Sequence, residues 1–151
     1  MKRSLTALLG GALFAGLSQV NAATLTLEFD TSFGDPNDPD TAAPDGPSPW
    51  MTAVFDDGGT AGSVTLTLSV AGSVGGAEVS AVYLNVDDAI GGANLTITPA
   101  GGTGPAANSI STGTDAFKAD ADGWFDILFD LPPPGMDTFD AGETLIYDIT
   151  G

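Results

Sequence analysis

Cysteine and histidine are both absent from this 151-residue chain, and only 3 basic residues stand against 20 acidic ones. Without cysteine there is no disulfide, no zinc-thiolate centre and no haem attachment. Without cysteine or histidine there is no Ser-His-Asp or Cys-His catalysis, because the base is missing. The formal net charge of −17 argues against nucleic acid as a partner, since phosphate binding relies on clustered Lys and Arg. Helical patterning is also missing. No segment after Ala22 repeats its apolar residues at a 3.6 period over about ten residues.

The N-terminus reads as an export signal. Met1-Lys2-Arg3 is a positive start, Leu5 to Leu17 is apolar, and Ser18 to Ala22 closes it with the small residues Val20 and Ala22 at the positions a signal peptidase reads. The apolar run is short of the roughly 20 residues needed to cross a bilayer. We therefore expect a helical signal peptide over residues 1–22, cut between Ala22 and Ala23, and one domain over 23–151 with no membrane span. No Cys follows the cut and no Arg-Arg pair precedes the apolar run, so the expected path is the general secretory route. Its destination is the surface or surroundings of a bacterial cell. Cutting there removes Lys2 and Arg3 and leaves Lys118 as the one cation among 20 acids. A domain of this size buries roughly two thirds of its extended surface and folds without disulfides.

Period-two alternation dominates the rest. Thr24 to Asp30 sets Leu25, Leu27 and Phe29 on one face. Ser63 to Val70 does so with Val64, Leu66, Leu68 and Val70, and Trp124 to Leu131 with Phe125, Ile127, Phe129 and Leu131. Such alternation marks half-buried strands. Weaker strand signals cover Trp50–Phe55, Val79–Val86, Leu95–Thr98 and Glu143–Ile149, separated by turn material such as Asp56-Asp57-Gly58-Gly59 and Gly91-Gly92. About seven short strands suffice for two sheets, so the expected fold is an all-β antiparallel β-sandwich, Ig-like or jelly-roll-like. Phe29, Val64, Leu66, Leu68, Phe125, Ile127 and Phe129 are expected to share its core. Gly34 to Pro49, rich in Pro and Asp, is expected to be a long loop. The chain stops at Gly151 directly after an apparent strand, which suggests a gene fragment truncated at its C-terminus.

Four stretches resemble exported bacterial proteins of the PEP-CTERM type, which exosortases sort to the cell surface: Trp50–Asp57, Val79–Val86, Phe117–Asp130 and Phe139–Gly151. Together they cover a third of the domain. The third is the most specific, with its K-A-D-x-D-G-x-F-D-I-L-F-D run from Lys118 to Asp130. The resemblance implies a secreted β-rich domain followed by a sorting signal: a Pro-Glu-Pro motif, an apolar helix and a basic end, recognised by the sorting machinery. This sequence contains none of the three.

The residues able to carry chemistry are mostly carboxylates. Asp120-Ala121-Asp122-Gly123, with Asp126 beyond, alternates acids before a glycine as a calcium loop does. The register of an EF-hand fails, because its first ligand would be Lys118 and its last Phe129. A looser calcium site from Asp120, Asp122 and Asp126 is the candidate, set against a plain Asp-Gly turn. Asp35, Asp38, Asp40 and Asp45 form a weaker second cation candidate. Trp124 shares a face with Asp126 by alternation, as a sugar-stacking ring beside a carboxylate would, with an extracellular polysaccharide as the implied partner. The expected function is a non-catalytic surface or matrix protein. The alternatives are a calcium-dependent carbohydrate-binding module and a small glycoside hydrolase using a carboxylate pair such as Asp122 and Asp126.

Overall fold

A computed structural model describes residues 22–31, 44–75, 78–119, 123–133, 135 and 137–151. The expected leader helix and most of the Gly34–Pro49 loop lie outside these residues. Eight strands follow in chain order: β1 (Thr24–Phe29), β2 (Met51–Asp56), β3 (Ser63–Val70), β4 (Ala81–Leu84), β5 (Thr96–Gly102), β6 (Ser109–Lys118), β7 (Trp124–Asp130) and β8 (Thr144–Thr150). One sheet has five strands in the order β1-β2-β3-β8-β5, and the other has three in the order β4-β7-β6. All the registered pairs are antiparallel. The fold is the all-β antiparallel sandwich that the alternation predicts.

Strand register converts alternation into a core. Leu25, Phe55, Leu66 and Tyr147 lie in one cross-strand row, and Leu27, Ala53, Leu68 and Leu145 in another. On the smaller sheet Val82 pairs with Phe129 and Leu84 with Ile127. Because side chains alternate with period two, each row presents its whole apolar set to one face. The buried members of both sheets join in a single cluster. The Phe129 and Tyr147 rings span the gap between the sheets with centroids 4.8 Å apart.

Of the expected core residues, Leu66, Leu68, Ile127 and Phe129 are fully buried, and Phe29 and Val64 pack at the margin. Phe125 departs from the expectation. It is half-buried and outside the cluster, its ring tilted 52° against Tyr83 at 5.5 Å. It sits near the start of β7, opposite Phe117 and beyond an irregularity in β6, at the edge of the packed layer. Leu25 and Leu27 depart as well. They are on the core-facing rows, yet 58% and 39% exposed. A three-stranded sheet cannot cover a five-stranded one, and β1 is an edge strand left outside its cover.

β6 has no counterpart among the expected strands. Its apolar residues, Ile110 and Phe117, are out of phase for simple alternation. The strand takes five residue steps from Thr112 to Phe117 while β7 takes two from Ile127 to Phe125. The surplus forms a bulge, which lets both residues pair with β7 despite their parity.

One polar atom in the core is unusual. The Tyr147 hydroxyl is buried with no hydrogen-bond partner among the described residues, and burial pushes its pKa up. A buried donor without a partner is destabilising. Tyr147→Phe is therefore expected to raise unfolding stability by about 1 kcal/mol. Chemical denaturation of both proteins checks this, and a lower stability of the variant would mean the hydroxyl is bonded in solution.

Candidate functional site

Asp126 of the calcium candidate and Trp124 of the sugar-stacking candidate both lie on β7. Asp126 follows Trp124 and Phe125 on β7 and is only 5% exposed. Its two oxygens accept backbone N–H groups from two different elements. Oδ2 takes the Val86 N–H at 3.0 Å, just past β4, and Oδ1 takes the Asp115 N–H at 2.8 Å, inside the β6 bulge. Asp115 holds a φ of 46°, a left-handed conformation that aspartate tolerates better than most residues. Gly92, in the 3-10 turn Gly92–Asn94, packs against the same spot. Asp126 thus ties together the end of β4, the bulge and the turn.

The N–H of Val86, then that of Asp115, holds the Asp126 carboxyl below the usual carboxylate range, and burial opposes them. Its charged form is favoured by folding. The stabilisation is present above the unfolded carboxylate pKa, and is lost as pH falls through the lower folded value. Asp126→Ala should therefore lower the melting temperature at neutral pH by more than Asp130→Ala, at an exposed position of the same strand. The gap between the two variants should shrink in acid, as melting curves across pH will show.

Of the expected calcium ligands, Asp120 and Asp122 lie outside the described residues, as do Asp35, Asp38 and Asp40 of the weaker candidate. Asp45 is exposed and forms a backbone bridge with Gly75. Among the described residues no group of three or more acids is placed to hold a metal ion. Trp124 is 56% exposed. It lies opposite Lys118 in the β6–β7 register, with the Lys118 Nζ 6.0 Å from the ring centroid. That is the outer limit for attraction between an ammonium and a ring face. The expected carboxylate neighbour of Trp124, Asp126, is covered by the bulge and the Gly92 turn, its oxygens already engaged.

Family models, curated proteins and solved structures offer no match to this chain. The chemistry therefore has to be read from the surface itself. Among the described residues an apolar cleft of about 590 Å³ opens beside β2 and β4. Phe29, Trp50, Met51, Val70, Tyr83 and Phe125 contribute to its wall, and among the described residues no carboxylate does. Among the described residues the two close ring pairs are tilted by 52° and 47° rather than coplanar. Trp124 is the exposed large aromatic among the described residues.

Sequence reasoning named Asp126 and Trp124 but missed their partners. Val86, Asp115 and Gly92 act through backbone groups or through the lack of a side chain, so no residue type marks them. The Gly91-Gly92 pair was legible as a turn, and nothing in it says which carboxylate the turn would cover.

Proposed function

We propose that the chain is an exported, non-catalytic protein of a bacterial cell surface or extracellular matrix, of the PEP-CTERM sorting type. The observation that carries this reading is where the sandwich starts. β1 begins at Thr24, and the Ala23 backbone is already hydrogen-bonded to Asp57, directly after the expected cut. A leader that ends where the first strand begins can be removed without touching the sheet. The resemblance of Phe117–Asp130 and the other stretches supports the sorting type. The acidic composition suits a protein kept soluble outside the cell by self-repulsion.

Expression of the whole chain in a secreting Gram-negative host tests export. The protein should reach the exported fraction without residues 1–22, and Ala22→Arg should hold the leader on. An intact chain retained in the cytoplasm overturns the reading. Release of reducing sugar from a polysaccharide panel would overturn the non-catalytic part. In the gene, codons past Gly151 for a Pro-Glu-Pro motif, an apolar helix and a basic end would support the sorting type.

A second reading, a calcium-dependent carbohydrate-binding module, is favoured by the exposed Trp124 ring beside Lys118. Stacking on one ring predicts weak polysaccharide retention in affinity electrophoresis, lost in Trp124→Ala. Calcium should strengthen that retention more than magnesium at equal ionic strength.

A further inference from the structure

The loop joining β2 to β3 holds more than a turn. Asp57 Oδ1 accepts the Gly59 N–H at 2.8 Å, which closes the turn on itself. The same oxygen accepts the Ala23 N–H at 2.8 Å, and the Asp57 N–H in turn donates to the Ala23 carbonyl at 3.1 Å. Ala23 is thus gripped on both sides by one residue across the β1–β2 edge, just before the first ladder pair, Thr24 with Asp56. The nitrogen in this grip is the one that leader removal would set free.

Hydrolysis of the Ala22–Ala23 bond by a leader-processing endopeptidase consumes one water. Its hydroxyl goes to the Ala22 carbonyl carbon, leaving a carboxylate on the leader. Its proton goes to the Ala23 nitrogen, and the resulting α-amine takes a further proton from solvent at neutral pH. We propose that this cleavage converts a backbone hydrogen bond into an ion pair, in which the new α-ammonium of Ala23 seats on the Asp57 carboxylate and pins the edge strand β1. The inference rests on the export reading above. It makes Asp57 the receptor for the mature N-terminus, and makes processing a step that strengthens the fold it releases.

Electrostatics favours this seat. The N–H groups of Gly59, then Ala23, hold the Asp57 carboxyl below its ordinary value, so it is charged whenever the amine is. Among the described residues the carboxylate that meets the amine nitrogen is Asp57, and the neighbouring Asp56, paired with Thr24 in the ladder, turns its Oδ1 to the Gly58 N–H. Asp148 of β8 lies in the same cross-strand row as Asp56, bonded to Thr65. Lys118, the cation of the mature chain, belongs to the other sheet. An ion pair with Asp57 raises the amine's folded pKa, so its share of the stability is full below the unfolded pKa of ~7.7–8.0 and is lost as pH rises through the folded value. The Asp57 share is lost at the acid end. Because the pair is solvent-accessible, added salt weakens it.

The test uses the exported protein, with its N-terminus read by mass spectrometry. The mature chain has two amines, the Ala23 α-amine and Lys118. Competitive acetylation across pH therefore titrates the first with the second as an internal reference. The Ala23 amine should titrate above the ordinary ~7.7–8.0 range. Asp57→Asn keeps the turn's acceptor oxygen and should return it toward that range. Asp56→Asn removes the same charge one residue away and should lower it much less. A start at Ala23 with an ordinary amine, or one indifferent to Asp57→Asn, overturns the ion pair and leaves export standing. An exported chain that starts elsewhere does the same. Full-length protein left in the cytoplasm removes the export reading and the ion pair together.

Discussion

Phe129→Ala is expected to lower the free energy of unfolding by about 3–5 kcal/mol. Phe129 has no exposed surface, pairs with Val82 within its own sheet, and meets the Tyr147 ring of the other sheet. Truncating it removes apolar contacts from both layers and leaves a cavity that neither sheet can close alone, since their backbones are held by ladder hydrogen bonds. Against a total of roughly 5–15 kcal/mol for a domain, a loss of this size is severe. Phe125→Ala is the informative partner. Phe125 is half-buried at the edge of the layer, and its loss should be about 1–2 kcal/mol. Denaturant midpoints at constant slope measure both. A loss of only about 1 kcal/mol for both would mean that β7 is paired one residue out of register, because the two rings share a face and such a slip moves both off the core.

Gly92→Ala is expected to be nearly as disruptive. An added Cβ there would fall on the Gly113 carbonyl oxygen and 2.8 Å from the Asp126 Cβ. Neither neighbour can swing away. Gly113 is backbone at the bulge, and Asp126 is fixed by the Val86 and Asp115 N–H groups. Overpacking a tight site costs about 1–3 kcal/mol, and displacing Asp126 would add two unpaired N–H donors to that. Gly75→Ala is the control, since its added Cβ meets nothing within 4 Å among the described residues, and it should stay within about 0.5 kcal/mol of wild type. Thermal melts give the difference. Hydrogen exchange should show faster exchange at Val86 and Asp115 in Gly92→Ala and not in Gly75→Ala.

Where one strand carries its own pattern, reading it was sufficient. The Ser63–Val70 alternation placed Leu66, Leu68 and Val70 in the core, because a strand's faces are set by local backbone geometry. The Asp56-Asp57-Gly58-Gly59 turn was equally legible. Gly58 and Gly59 adopt φ of 53° and 71°, and the two aspartates cap them, which is what those residue types do in isolation. Asp126 shows the limit. The sequence marks it as one acid among many, suited to calcium, and its burial under the bulge follows from strands that meet only in the fold.

By itself, then, the chain's alternation, its turn residues and its want of cysteine, histidine and basic charge determined an all-β sandwich and excluded whole classes of chemistry. These properties belong to single residues and near neighbours. Three things waited for the tertiary structure: the exposure of Leu25 and Leu27, the bulge that makes Ser109–Lys118 a strand, and the grip of Asp57 on Ala23. Each depends on what lies opposite in space: a sheet too narrow to cover β1, a shorter run on β7, and a turn 34 residues along the chain from Ala23. Pairing across such separations is settled by the total packing of two sheets, and no local pattern encodes it.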